Sequence, residues 1–289
     1  MTRKSTNKRP YKAKNRHQKR NKKNRWRRYF LFIILAITLT ITGFYISQKI
    51  FFYYSMYFKT FNSKNLTNSK YEEERIKKIV TEYNGKTFGI DISHYQRKED
   101  IVWDSLSIAN GSIPIEFILL RATMGKNKSD NHFEEFWEKA KKHKLIRGAY
   151  HFYRPDEDPV LQANNFLNTV KLEEGDLAPV LDIEKRPRHI TEEQLIENLK
   201  IWCKIVENAY GIKPIIYTYY FYHKDHLKKE FEGYPLWLAN YNDVLVPSDK
   251  VEWKFWQFTE KGIVKGIKTK VDVNVYNGST WSLKDLTVD

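Results

Sequence analysis

The chain has 289 residues, 41% apolar and 15% aromatic, which is enough for one barrel-sized domain and a short accessory region. Of its formal net charge of +15, residues 1–28 carry 14 Lys and Arg with no Asp or Glu; the rest holds 36 basic and 35 acidic side chains, a net of +1. That distribution argues against a uniformly basic nucleic-acid surface on the folded part, and a single cysteine, Cys203, excludes an intramolecular disulfide.

The basic tail, 1–28, is expected to stay in the cytoplasm and to set topology, helped by attraction to anionic lipid; binding of nucleic acid by the tail is the less favoured reading. Tyr29 to Ile46 is apolar except for three threonines, which a helix tolerates by bonding them back to its own carbonyls. Eighteen residues at a rise of ~1.5 Å span about 27 Å, close to a bilayer core. Lys49 can snorkel, and Phe51, Phe52, Tyr53 and Tyr54 suit the interface. Residues 29–54 are therefore predicted to be a single-pass anchor with everything after it outside the cytoplasmic membrane. A cleaved signal peptide is the competing reading, disfavoured by the long charged region and the lack of a small-x-small site. Residues 55–85 are polar and read as a stalk, with a short helix at Tyr71–Tyr83.

Residues 86–289 alternate. Strand-like runs are Phe88–Ile92, Glu116–Ala122, Arg147–Tyr153, Ala178–Glu184 and Pro214–Tyr219, each followed by a helix-like run. The clearest helices are Phe133–His143, Val160–Val170 and Glu192–Ala209; in the last, Leu195, Leu199, Trp202 and Val206 recur at helical spacing. Asp158 and Thr191 are placed as helix starts. Leu236–Tyr241, Trp253–Phe258 and Val271–Tyr276 then read as strands joined by loops. The predicted fold is α/β: an irregular TIM-like barrel of five strand-helix units followed by three strands, (β/α)5β3.

The chemistry concentrates at strand ends. In Leu181-Asp182-Ile183-Glu184, side chains two apart share a face, so Asp182 and Glu184 point the same way at the rim where barrel enzymes work. Two close carboxylates resist joint ionisation, and a protonated acid beside an ionised one is what glycosidic cleavage requires. A pair of strand-end acids used for capping or ion pairing is the plainer reading of this motif alone. Asp91 ends the first strand and Asp272 lies in the last, and those strands are neighbours in a closed barrel, which would make a four-acid rim. Tyr150, Tyr217, Trp237 and Tyr241 sit at the same strand ends and are candidate sugar-binding rings. Gln257, polar within an aromatic strand, must face a ligand, a water or a partner side chain. His151 is expected to face the helical layer as a structural residue, and Cys203 to be a buried thiol. Without zinc spacing, G-x-S-x-G or a glycine-rich phosphate loop, no metal or cofactor is expected.

Seven ordered motifs resemble one family. They are Gly89-Ile90-Asp91-Ile92-Ser93-His94-Tyr95-Gln96, Leu120-Arg121-Ala122-Thr123-Met124-Gly125, Gly148-Ala149-Tyr150-His151-Phe152-Tyr153, Leu181-Asp182-Ile183-Glu184, Trp237-Leu238-Ala239-Asn240-Tyr241, Trp256-Gln257-Phe258 and Val271-Asp272-Val273-Asn274. From Phe88 to Asn277 the chain resembles the glycoside hydrolase family 25 muramidases, the Chalaropsis-type lysozymes. The resemblance implies cleavage of the β-1,4 bond between N-acetylmuramic acid and N-acetylglucosamine in peptidoglycan. It implies Glu184 as general acid/base, Asp182 as its stabilising partner, Asp91 and Asp272 as further active-site acids, and Tyr150, Trp237 and Gln257 as groove residues. Retention assisted by the substrate's own acetamido group is the expected route. The alternative is a catalytically silent, membrane-anchored peptidoglycan-binding module. A chitinase is disfavoured, because the positions before Asp182 read Ala178-Pro179-Val180-Leu181 with no acids.

Overall fold

The structure, a computed structural model, describes residues 26, 29–44, 46–47, 70–242, 244, 246–248 and 251–289. It divides into two compact units, Met1–Phe61 and Asn62–Asp289.

In the first unit, residues 29–44 are helical and exposed. Thr38 and Thr40 donate their hydroxyls to the carbonyls of Leu35 and Ile37, each at 2.8 Å. Among the described residues no helix is long and apolar enough to cross a membrane, so the expected anchor at 29–54 gains no support from this unit. Residues 45 and 48–54 of that expected span, most of the basic tail and residues 55–69 of the expected stalk lie outside the described residues.

In the second unit, helix α1, Lys70–Glu82, within the stretch expected to be a stalk, packs against the barrel strands. Ile76, Ile79 and Tyr83 are buried, and the Tyr83 ring meets Trp253 and Trp256 edge-on at 5.9 and 5.8 Å. The buried Arg75 guanidinium donates to the carbonyls of Phe258 and Asn242. Sequence reading stopped short here because α1 is polar on average, and its few apolar positions gain meaning only against a partner surface.

Eight strands close the barrel: β1 Thr87–Ile92, β2 Phe117–Met124, β3 Ile146–Phe152, β4 Val180–Asp182, β5 Ile215–Tyr219, β6 Leu236–Ala239, β7 Phe255–Gly262 and β8 Val271–Tyr276. β1 through β7 pair in parallel in chain order. β8 is antiparallel to both β7 and β1 and shuts the ring. Most strand residues are buried on both faces, as a helix-covered parallel sheet demands. Gly89 permits the closure, since a Cβ there would stand 2.4 Å from the Phe117 ring.

The helical layer is uneven. Helices α2 Phe133–Lys142, α3 Pro159–Thr169 and α4 Glu192–Tyr210 follow β2, β3 and β4. Asp158 caps α3 through the Leu161 N–H, and Thr191 and Gln194 form a reciprocal capping box on α4. Gly211, with φ 73°, ends α4 in the left-handed conformation. After β1 there are only short 3-10 turns and a two-strand ladder, Ser107–Ile108 with Ile113–Pro114. After β5 comes a single helical turn, Tyr220–Tyr222, continued as a π-helical turn at His223–Leu227.

Candidate active site

The antiparallel entry of β8 decides the geometry of the rim. Asp272 lies near the start of β8, and because that strand runs backwards its start lies beside the end of β1. The register sets Asp91 directly opposite Asp272. Two residues further along β8, on the same face, Asn274 is fully buried.

Gln257 on β7 ties these groups together. Its amide nitrogen donates to Asp91 Oδ2 at 2.7 Å and to Asp272 Oδ2 at 3.2 Å. Its amide oxygen accepts the hydroxyls of Tyr217, at 2.7 Å, and Tyr241. The side chain, 1% exposed, therefore meets the full demand of a buried amide. Asn274 makes a parallel connection: its nitrogen donates to Asp91 Oδ2 at 2.8 Å, while its oxygen accepts the Trp237 indole N–H at 2.8 Å. Asp91 is thus held by two amide donors.

Asp182 ends β4, paired with Phe152 on one side and Tyr217 on the other. A bond from the Ile183 N–H to the Tyr217 carbonyl at 3.0 Å carries the pairing one residue past the strand. Glu184 follows at the rim, half-buried, while Asp182 is 4% exposed. The Tyr150 phenol lies within the fields of Asp91, Asp182 and Asp272; burial above all pushes it well above the usual range, and Arg121 opposes that push. Burial, with Tyr241 and Glu184 adding, does the same for Tyr217. Both phenols are held in the neutral form, and Tyr217 donates to Gln257. Asp91, Asp182 and Asp272 act electrostatically on Tyr150, and Asp182 and Glu184 on Tyr217, so the two tyrosines link the fields of all four acids.

Exposure divides the expected ring positions. Tyr217 and Trp237 are 3% and 2% exposed, their rings in tilted contact with centroids 4.4 Å apart, and both have their polar atoms bonded inside the protein. They form the floor beneath the acids and offer little open ring face. Tyr150 meets Trp237 edge-on at 6.4 Å in the same floor. Tyr241 is only part-buried.

His151 faces the helical layer. Gln162 donates its amide nitrogen to the carbonyls of Arg154 and Glu157, which turns its oxygen towards His151 Nε2 at 3.2 Å. Nε2 is then the protonated nitrogen, and Nδ1 accepts the Thr123 hydroxyl at 2.7 Å. Burial lowers the imidazole to about 4, so it is a neutral structural group, stacked on Trp202 at 5.5 Å. Cys203 is buried, and burial raises its thiol.

Sequence reasoning did not single out Asn274, although the two-residue spacing from Asp272 carried the signal. It also passed over Arg121, Asp130 and the exposed Tyr95, whose roles depend on a loop that folds back beside β2. Among the described residues no cluster of His, Cys, Asp or Glu is arranged to hold a metal ion.

Residues 90–267 match the family described as Glycosyl hydrolases family 25. The chain belongs to that family. The uncharacterized protein YegX of Escherichia coli (strain K12) is 35% identical over 197 residues, covering 68% of this chain and 71% of YegX. Lysozyme M1 of Streptomyces globisporus is 31% identical over 206 residues, covering 66% and 68%. Among solved structures, the bacterial lysozyme from Streptomyces coelicolor superposes with a TM-score of 0.62 at 28% identity, over 71% of this chain and 98% of that one. The chain is a glycoside hydrolase with the family's barrel.

Proposed function

We propose that this glycoside hydrolase is a muramidase that cuts the β-1,4 bond between N-acetylmuramic acid and N-acetylglucosamine in peptidoglycan, with Glu184 as the acid. The observation that carries the reading is the rim itself: Asp91 and Asp272 in register, clasped by Gln257, with Asp182 and the half-buried Glu184 across the same tyrosine floor. Glu184 has the exposure a proton donor to a leaving oxygen needs. Asp182, deeper, stabilises positive charge developing at the sugar or its acetamido group. Asp91 and Asp272 orient substrate, and Gln257 keeps the two carboxylates at fixed separation. The lysozymes among the relatives support the substrate class.

The proposal extends to location. The apolar run at 29–46, the positive residues before it, and threonines bonded to their own helix support attachment to the cytoplasmic membrane with the barrel outside. Carbonate extraction of membranes and protease accessibility from the outer side test this; release by carbonate overturns it.

The activity test uses purified full chain against Glu184→Gln on insoluble peptidoglycan, with products read by mass. The wild type releases fragments with N-acetylmuramic acid at the reducing end, and the variant releases none. Equal release by both overturns the assignment of Glu184, and binding without release by the wild type identifies a silent wall-binding module.

A further inference from the structure

Beside the acid rim, over the ends of β1 and β2, lies a pocket of about 470 Å³ whose walls include His94, Arg121, Asn127, Lys128, Ser129 and Asp130. It has no part in the chemistry above. Its construction is specific. After β2 the chain turns at Gly125, with φ 59°, where a Cβ would stand 2.5 Å from Glu157 Oε2. The Lys126 N–H donates to that carboxylate at 2.7 Å, and the Asn165 amide donates to the carbonyls of Gly125 and Lys128 at 2.8 and 3.1 Å. Loop 125–131 is therefore pinned at both ends, with Lys128 and Ser129 paired back onto Met124 and Thr123.

The donors and acceptors within the pocket are unequal. Asp130 is its one acidic wall residue, and that carboxylate is already engaged. Oδ2 accepts the His94 N–H at 2.9 Å and the Arg121 Nε–H at 3.2 Å, and lies 3.1 Å from Arg121 Nη2 and 3.2 Å from His94 Nδ1. Oδ1 accepts the His132 N–H at 3.2 Å. A cationic ligand would find no open carboxylate here. An anionic one would find Arg121, whose side chain is 11% exposed and whose Nε and Nη2 both serve Asp130, leaving Nη1 for a ligand. It would also find the exposed Lys128 ammonium and the amides of Asn127 and Asn131. The Tyr95 ring, 65% exposed, stands 5.6 Å from the Arg121 guanidinium and limits its movement. Arg121 is the register partner of Tyr150, the tyrosine around which Asp91, Asp182 and Asp272 gather, and His94 is three residues beyond Asp91.

We infer that this pocket binds a free carboxylate of the short peptide carried on the lactyl ether of N-acetylmuramic acid, so that the enzyme reads the peptide as well as the sugar. The inference rests on the muramidase reading and deepens it. Arg121 Nη2 also lies 3.4 Å from His94 Nε2, so Nη1 is the guanidinium nitrogen that can donate to a second carboxylate. The inferred peptide site adjoins the rim through the register pair Arg121 and Tyr150.

The test compares three soluble glycan strands: one bearing intact peptides, one stripped by an amidase so that the lactyl carboxylate is free, and one stripped and then methylamidated so that no charge remains. The proteins are full-length wild type, Arg121→Gln and Lys128→Gln, each checked for an unchanged thermal midpoint. Wild type should show its highest kcat/KM on the peptide-bearing strand. Arg121→Gln should lose at least about tenfold more kcat/KM on that strand than on the methylamidated one, chiefly through KM, and Lys128→Gln should lose less in the same direction. Equal losses on all three strands overturn the inference, as does a loss confined to the strand with the free lactyl carboxylate. If Arg121→Gln is unstable, Lys128→Gln decides by the same comparison. Failure of the muramidase reading shows separately, as wild type that cuts none of the strands.

Discussion

Asp91 and Asp272 stand directly opposite one another in the antiparallel register between the first and last barrel strands, and one amide nitrogen, that of Gln257, reaches both. Two carboxylates side by side near the base of an active site would repel each other and drift apart. The amide holds them without neutralising either, and its own oxygen is held by two tyrosine hydroxyls. Gln257→Leu should therefore act on both stability and turnover. Four partners, two of them buried and two part-buried, lose a bond at once, so the unfolding free energy should fall by about 2–4 kcal/mol, read by urea denaturation. The kcat on peptidoglycan should fall at least about tenfold, because the acids are no longer fixed. A stable, fully active Gln257→Leu protein would show that the clasp is dispensable.

Product stereochemistry follows from the split between Glu184 and Asp182. If Asp182 steadies an acetamido group that attacks the anomeric carbon, the first product is the β-anomer, read by proton NMR before mutarotation. Asp182→Asn should lower kcat by about a hundredfold or more and change KM little, as expected for a group that acts on transition-state charge. Initial α-anomer from the wild type rules out simple retention.

His151 supplies a pH dependence unrelated to catalysis. Its folded pKa of about 4 lies below the unfolded value of about 6.5, so folding favours the neutral ring. The associated stability is fully present above pH 6.5 and is lost as pH falls towards 4. A depression of this size corresponds to about 3 kcal/mol. His223, also lowered by burial to about 4, acts in the same direction. Denaturation followed from pH 7 to 4 should show a steep loss in the wild type and a shallower one in His151→Gln. Identical slopes would remove His151 as a cause.

Arg147 and Asp176 form a buried pair at 2.6 Å, with side chains 2% and 7% exposed. Arg147 also donates to the Trp137 carbonyl at 3.0 Å and lies 4.1 Å from the Trp137 ring centroid. The pair fastens the start of β3 to the loop before β4 and to α2. Asp176→Asn leaves a buried guanidinium without its counter-charge and should cost about 3–5 kcal/mol, read as a fall in the thermal midpoint. A smaller fall would mean that the half-exposed Glu173, whose Oε2 lies 3.6 Å from Arg147 Nη2, takes over.

Local features were the legible part of the fold. Strand alternation, the Asp158 and Thr191 caps and the helical spacing in α4 are written within a few residues of chain, and the structure places each where its sequence calls for it. The pairing of Asp91 with Asp272 was legible as adjacency, because closure makes first and last strands neighbours. The reversal of β8 was not, since strand direction depends on how a connection crosses the barrel end. Side-chain depth was equally hidden. Tyr217 and Trp237 look like sugar platforms in sequence, yet the fold above them leaves 3% and 2% of their surface open. Arg121 read as part of a motif and acquired meaning only when loop 125–131 brought Asp130 back to it. Helix α1 was assigned to a stalk because its few apolar residues find their partners, Trp253 and Trp256, late in the chain.

The backward-running last strand also bears on how the protein is made. β8 supplies Asp272 and Asn274 and pairs with β1, which lies more than 180 residues earlier in the chain. Until residues 271–276 have emerged from the ribosome, the ring stays open and the rim lacks one of its acids. A nascent or prematurely terminated chain therefore lacks the complete cutting site, and the order of synthesis itself delays activity until the whole barrel has been delivered.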